Sequence, residues 1–286
     1  MNWLRNPWSR PRVLALVTWL YILWSIVPVI IAIQFSFNAG RSRSAWQGFS
    51  LRWYTGDPDL SVLHNAALRE AMGQSLKLAV LTMLIATPIG VALALGLARW
   101  RGPGAKASNF LMLFPLVTPE IVMGVALFLV FVYLFKFIDL GTEAQLLGHI
   151  TFSISYVVIV VRGRLFAIGR EFEEAAMDLG ASPVQALRLV LLPMLAPAIF
   201  ASLMIVFAIS IDDFVISAFL QGGAESATVP VLLYSTARNA PTPNLNAIAT
   251  LMLVFSMLAI GIAISLQRRG GRGKGEAVES FARLEI

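Results

Sequence analysis

Along this 286-residue chain the apolar positions gather into long runs, and polar residues fall mostly between them. Six runs are long enough, at about 20 residues, to cross a hydrocarbon core as helices. They are Val13 to Phe35, Ser75 to Ala98, Ala107 to Phe135, Ala144 to Phe166, Ala196 to Leu220 and Leu245 to Gln267. Pro115 and Pro119 interrupt the third, and the fourth is less apolar at its start. The pattern predicts an all-α polytopic membrane protein with six transmembrane helices. Residues 1–12 form an N-terminal segment, 13–267 the transmembrane domain and 268–286 a Gly- and charge-rich tail. The first run is too long for a signal-peptide core, and no small-x-small cleavage site follows it promptly, so it reads as a retained helix.

Composition agrees with the runs. Apolar types make up 58% and charged types 13%, against about 25% charged in soluble domains. That excludes an ordinary soluble enzyme and a disordered chain. Cysteine is absent, and His64 and His149 lack the spacing of zinc ligands, so neither a thiolate site, a metal site nor a catalytic residue is expected. The net charge of +6 is spread between the runs and not over one soluble face, which argues for membrane topology and against nucleic acid. With the N-terminus placed inside, 15 of the 22 basic residues fall on the inner side, among them Arg99, Lys106, Arg162, Arg164, Arg170 and Arg188. The excess marks the cytoplasmic face and predicts that both termini lie there.

Two connections are too long to be turns. The outer one, Ser36 to about Gln74, carries Trp46, Trp53 and Tyr54. Their amphipathic rings suit a membrane-skimming belt or a partner-docking surface. The inner one, residues 167–196, predicts two short helices at an angle. Acidic residues and good helix formers open the first, and Gly180 ends it, because glycine enters the left-handed region cheaply. Ser182 is placed as an N-cap with Pro183 at the first helical position. The second helix runs from Pro183 to about Leu191, and Pro193 ends or kinks it. Ala175, Ala176, Gly180 and Ala181 form a small-residue patch. The segment serves either as an amphipathic interfacial helix, through Leu187, Val190 and Leu191, or as a docking surface.

The segment reads Glu174-Ala175-Ala176, three residues, Gly180, nine residues, Val190, Leu191, Leu192-Pro193. It resembles the EAA loop of bacterial ABC-importer permeases, with Val190 in place of the family's isoleucine. The resemblance implies the type I importer permease fold over nearly the whole chain. It also implies that Glu174, Ala175, Ala176, Gly180 and Ala181 couple the spans to an ATPase subunit. The chain itself has no P-loop: Gly273-Lys274 is followed by Gly275, and Arg268 stands where the first glycine belongs. No cofactor is expected on this chain, and ATP with its magnesium belongs on the partner. The implied partners are a second permease, two copies of the ATPase, a periplasmic binding protein and the bilayer.

Three carboxylates fall within apolar runs: Glu120, Asp212 and Asp213. A charge at the bilayer centre costs roughly 2.5–3.5 kcal/mol, so such groups face a bundle interior or a wet path. Either they pair with arginine and hydroxyl groups, or they form an acidic way-station for a cation. Neighbours on a helix point about 100° apart, so Asp212 and Asp213 cannot share one narrow axis. His149 and Tyr156 read as packing or hydrogen-bonding residues. The run Ser210 to Ser217 and the segment Trp46 to Tyr54 resemble the spermidine and putrescine permeases. That resemblance implies polyamine import, with opines or other small amines as the alternative. An ion-coupled secondary transporter would leave the EAA pattern without a role and lacks the inverted repeats such proteins show.

Overall fold

The computed structural model describes residues 12–42, 44–100, 102–239, 243–258 and 260–261. The tail at 268–286, most of the N-terminal segment and the end of the sixth run lie outside them. Among the described residues the fold is helical, apart from a single antiparallel bridge between Asn38 and Phe49. Among the described residues two compact units emerge: 67–235 with 253–261, and 12–66 with 236–252.

The smaller unit opens with α1, Arg12–Ser36. Its side chains are mostly apolar on every side and exposed from Val13 to Ile31, apart from half-buried Ile22, the signature of a helix with no polar face to turn toward water. Next comes a tight loop whose core is Trp53, fully buried, with its indole N–H donating to the Asn38 carbonyl at 2.6 Å. Phe37 stacks on both Phe49 and Tyr54. Trp53 is therefore no interfacial ring. Trp46, by contrast, remains exposed. Asp57, hydrogen-bonded by the Leu60 amide and by the Arg52 guanidinium, is held below the usual carboxylate range.

The larger unit is built on three long helices: α2 (Ala66–Arg99), α5 (Thr142–Ile168) and an apolar helix over Pro183–Asp212. Ala86 and Ala94 of α2, Val157, Val158 and Val161 of α5, and Leu191, Leu195 and Val206 of the third helix make one buried cluster. Gly90 lets α2 approach α5 closely, since a Cβ there would stand 2.5 Å from the Cβ of Val157. Small residues serve this purpose in membranes, where van der Waals packing drives helix association. Gly90→Val should lower stability by about 1–3 kcal/mol through overpacking. Thermal unfolding of the purified protein in detergent would read this as a lowered midpoint, and an unchanged midpoint would contradict the packing account.

Between α2 and α5 run α3 (Ala105–Val117) and α4 (Glu120–Leu129), meeting at 107°. Pro115 is absorbed inside α3, whereas Pro119 forces the break: the residue before a proline is pushed out of helical space, and Thr118 is extended with ψ 129°. The third run is thus a bent pair and not one straight span. Among the described residues four helices are long and apolar enough to cross a membrane, or five if that pair counts as one span. The sixth run is present as a shorter helix over Asn244–Leu258 and reaches the edge of the described residues.

Candidate functional site

The inner connection leaves α5 at Gly169 and enters α6 (Glu171–Asp178). Glu171, Glu173 and Glu174 occupy its first turn, where carboxylates meet the positive end of the helix dipole. Glu173 also pairs with Arg99 at the end of α2, which pins the connection to that helix. The end of α6 follows the sequence pattern residue by residue. Gly180 has φ +91°, the Gly180 amide donates to Met177 O at 2.9 Å, and the Ala181 amide donates to Ala176 O at 3.0 Å. That pair of bonds is the glycine-terminated helix end in which the orphan carbonyls are satisfied internally. Ser182 then caps α7 (Pro183–Ala186): its Oγ accepts from the Gln185 amide at 3.3 Å, and Gln185 Oε1 accepts from the Ser182 amide at 2.8 Å. Glu174, Ala175 and Gly180 are exposed, with Ala176 and Ala181 half-buried beside them.

The second helix does not end near Leu191. A π-helical turn over Leu187–Leu191 joins α7 to α8 (Leu192–Asp212). Pro193 has no N–H and would clash with a carbonyl four residues back; the wider turn just before it accommodates both demands. Pro183 to Asp212 is therefore one helix of 30 residues, and the predicted start of the fifth span at Ala196 lies well inside it.

At the far end of this helix the chain breaks. Asp213 is extended (ψ 123°), and α9 (Val215–Phe219) begins immediately after. The predicted span to Leu220 is thus interrupted, and the cause is a buried polar cluster. Asp213, 8% exposed, accepts from the Ser217 amide at 2.8 Å and lies 3.2 Å from His149 Nε2. His149, 2% exposed, also reaches Ser217 Oγ at 3.0 Å and, through Nδ1, Ser210 Oγ at 2.7 Å. Asp212, one residue earlier, points away and is exposed. Glu120, at the start of α4, is exposed too and lies within electrostatic range of Asp213 and Tyr156. Tyr156 packs edge-on against Phe152. Of the three acids, Asp213 is bonded within the bundle, while Asp212 and Glu120 are exposed.

The sequence pattern did not expose Gln145. It sits one turn before His149, accepts from Gln74 at 2.9 Å and donates to the carbonyls of Ser217 at 2.9 Å and Ser226 at 3.0 Å. The available signal was two polar residues four apart on one face of an apolar helix, the spacing at which side chains line up.

Over residues 86–269 the chain matches the family described as binding-protein-dependent transport system inner membrane component. It is 36% identical over 254 residues to the putrescine transport system permease protein PotI of Escherichia coli strain K12, covering 87% of this chain and 86% of that one. It is 35% identical over 265 residues to the spermidine/putrescine transport system permease protein PotC of Shigella flexneri, covering 93% and 96%. In fold it is similar to a chain of a bacterial ABC transporter involved in the import of the acidic polysaccharide alginate, with a TM-score of 0.73 at 17% identity over 91% of this chain and 96% of that one.

Proposed function

Because the chain belongs to the family of binding-protein-dependent transport inner membrane components, we propose that it is one of two permeases lining the path of an ATP-driven polyamine importer. Its cargo is putrescine or spermidine. One observation carries this reading. The exposed turn at Gly180 leads directly into a helix of 30 residues whose other end presents Asp212. At 1.5 Å per residue that rod is about 45 Å long, enough to connect a cytoplasmic docking surface with an acidic point deep in the spans.

In this arrangement both termini and the 167–196 connection face the cytoplasm. Glu174, Ala175, Ala176, Gly180 and Ala181 contact a separate ATPase, present in two copies, which hydrolyses ATP. A second permease completes the pathway, and a periplasmic binding protein delivers the substrate. Asp212 and Glu120 offer fixed negative charge to the ammonium groups of a di- or triamine, each attraction weak enough to allow release. The names of the relatives, which carry putrescine and spermidine, support the choice of cargo.

The test is uptake of radiolabelled putrescine and spermidine by cells carrying the whole system in a background without other polyamine importers. Saturable uptake that requires ATP and the binding protein is expected. An intact, expressed system that takes up neither amine would refute the cargo assignment.

A further inference from the structure

We propose that the groove between α2, α3 and α5 holds an acyl chain of an anionic phospholipid whose phosphate is bound by Arg162. The groove encloses about 710 Å³ and is lined by Leu93, Trp100, Leu111, Met112, Pro115 and Thr151, among others. Its walls are overwhelmingly apolar, and Leu93, Trp100 and Leu111 are exposed, so it opens sideways toward the surrounding hydrocarbon. Ser155 closes its floor by donating to the Met112 carbonyl at 2.7 Å, which fastens α3 to α5.

Arg162 distinguishes this groove from any greasy crease. Thr151, Ser155 and Arg162 follow one stripe of α5, at steps of four and seven residues. Asn109, which accepts from Arg162 Nη1 at 2.5 Å, adjoins lining Ser108 and stands one turn before lining Met112. The guanidinium therefore sits at the end of the groove nearest the 169–183 connection. It is held there by Asn109 and by the face of Phe166, 5.8 Å from the ring centroid. Its Nε is enclosed by the chain itself, so the half-buried side chain meets a ligand through its Nη edge, and among the described residues no carboxylate stands within ion-pair distance of it. A guanidinium with no carboxylate to neutralise it favours an anion, and its planar N–H donors match phosphate geometry. Lys106, exposed in the first turn of α3, adds positive charge on the same side.

A phospholipid satisfies both halves of the site with one molecule: chain for the groove, phosphate for the fork. A helix of the second permease would fill the groove but would have to bring its own acid to Arg162. Basic pockets between spanning helices on the cytoplasmic side select anionic headgroups. Assigning the lipid to the inner leaflet rests on the orientation proposed above, whereas its binding does not.

The test uses the assembled transporter, purified in mild detergent and titrated with phosphatidylglycerol or phosphatidylcholine, with bound lipid counted by native mass spectrometry. Wild type should retain phosphatidylglycerol in preference to phosphatidylcholine. Arg162→Gln should weaken phosphatidylglycerol retention about fivefold and abolish the preference, while Arg162→Lys should keep most of it. Leu111→Trp, at an exposed position that leaves Arg162 untouched, should reduce retention by filling the groove. Equal retention of the two lipids by wild type, or unchanged retention in Arg162→Gln, would overturn the proposal. So would crosslinking of Leu111→Cys to the second permease while no lipid is retained. None of these readouts depends on the cargo, so failure here and failure of the polyamine assignment are separable.

Discussion

Gly180→Val should cut uptake about tenfold or more while the chain inserts and accumulates as usual. A Cβ at Gly180 would meet nothing within 4 Å in its own chain, so the effect does not come from a clash within the fold. It comes from φ, which is +91° and which a β-branched residue adopts only at a cost of about 1–3 kcal/mol. The chain can relieve that strain only by giving up the two bonds from the Gly180 and Ala181 amides. Doing so turns α7 away from α6 and misplaces the surface assigned to the ATPase. Each 1.4 kcal/mol of misplacement energy is a factor of ten in the population of the docked form. Gly180→Asn tests the cause, because asparagine tolerates the left-handed region several-fold better than valine and should restore most of the uptake. The measurement is uptake against membrane content of the chain. Normal uptake in the valine variant, or equal losses in both variants, would show that backbone conformation at 180 is not what matters.

Asp213→Ala and Asp212→Asn should separate stability from transport although the residues are neighbours. Removing the Asp213 carboxylate leaves the Ser217 amide without its acceptor and His149 Nε2 without its charged neighbour, both inside the bundle. Leaving buried groups unmade costs about 1–3 kcal/mol each, so Asp213→Ala should lower the unfolding midpoint clearly and reduce the amount of chain in the membrane. Asp212 makes no such bonds to its own chain among the described residues and is exposed. Asp212→Asn should leave the midpoint within the range of ordinary surface changes, about 0.5 kcal/mol, and should reduce polyamine uptake. A stable Asp213→Ala protein would dismiss the cluster as the cause of the helix break. Full uptake by Asp212→Asn and Glu120→Gln together would leave these acids with no part in transport.

How far the sequence could be read depended on whether a feature is local. The turn at Gly180, the capping box of Ser182 with Gln185, and Pro183 at the first helical position are decided within a few residues, and each stands where its chemistry places it. The runs of apolar residues gave the helices for the same reason. What stayed hidden required a partner distant in the chain. The break after Asp212 is held by the nearby Ser217 amide and also by His149 of α5, and the second partner is not visible from residues 205–220 alone. Arg99 finds Glu173 across the fold, and Trp53 is buried because Asn38 offers its carbonyl. Pro193 misled in the opposite direction: read alone it stops a helix, but a π turn upstream lets the helix continue. The three acids were visible as a set. Which of them is buried and bonded was not, since Asp213 is held by His149 on another helix, while Asp212 and Glu120 are exposed.

The turn from α6 into α7 has a thermodynamic consequence. Its hydrogen bonds close within the segment itself, from the glycine end of one helix to the serine cap of the next. Such a surface is already in one shape before anything touches it. Association then forfeits little chain entropy, and separation does not unravel the segment. A contact of that kind can be broken and remade at every cycle as a rigid joint, its lifetime set by the partner's grip alone and not by a refolding step.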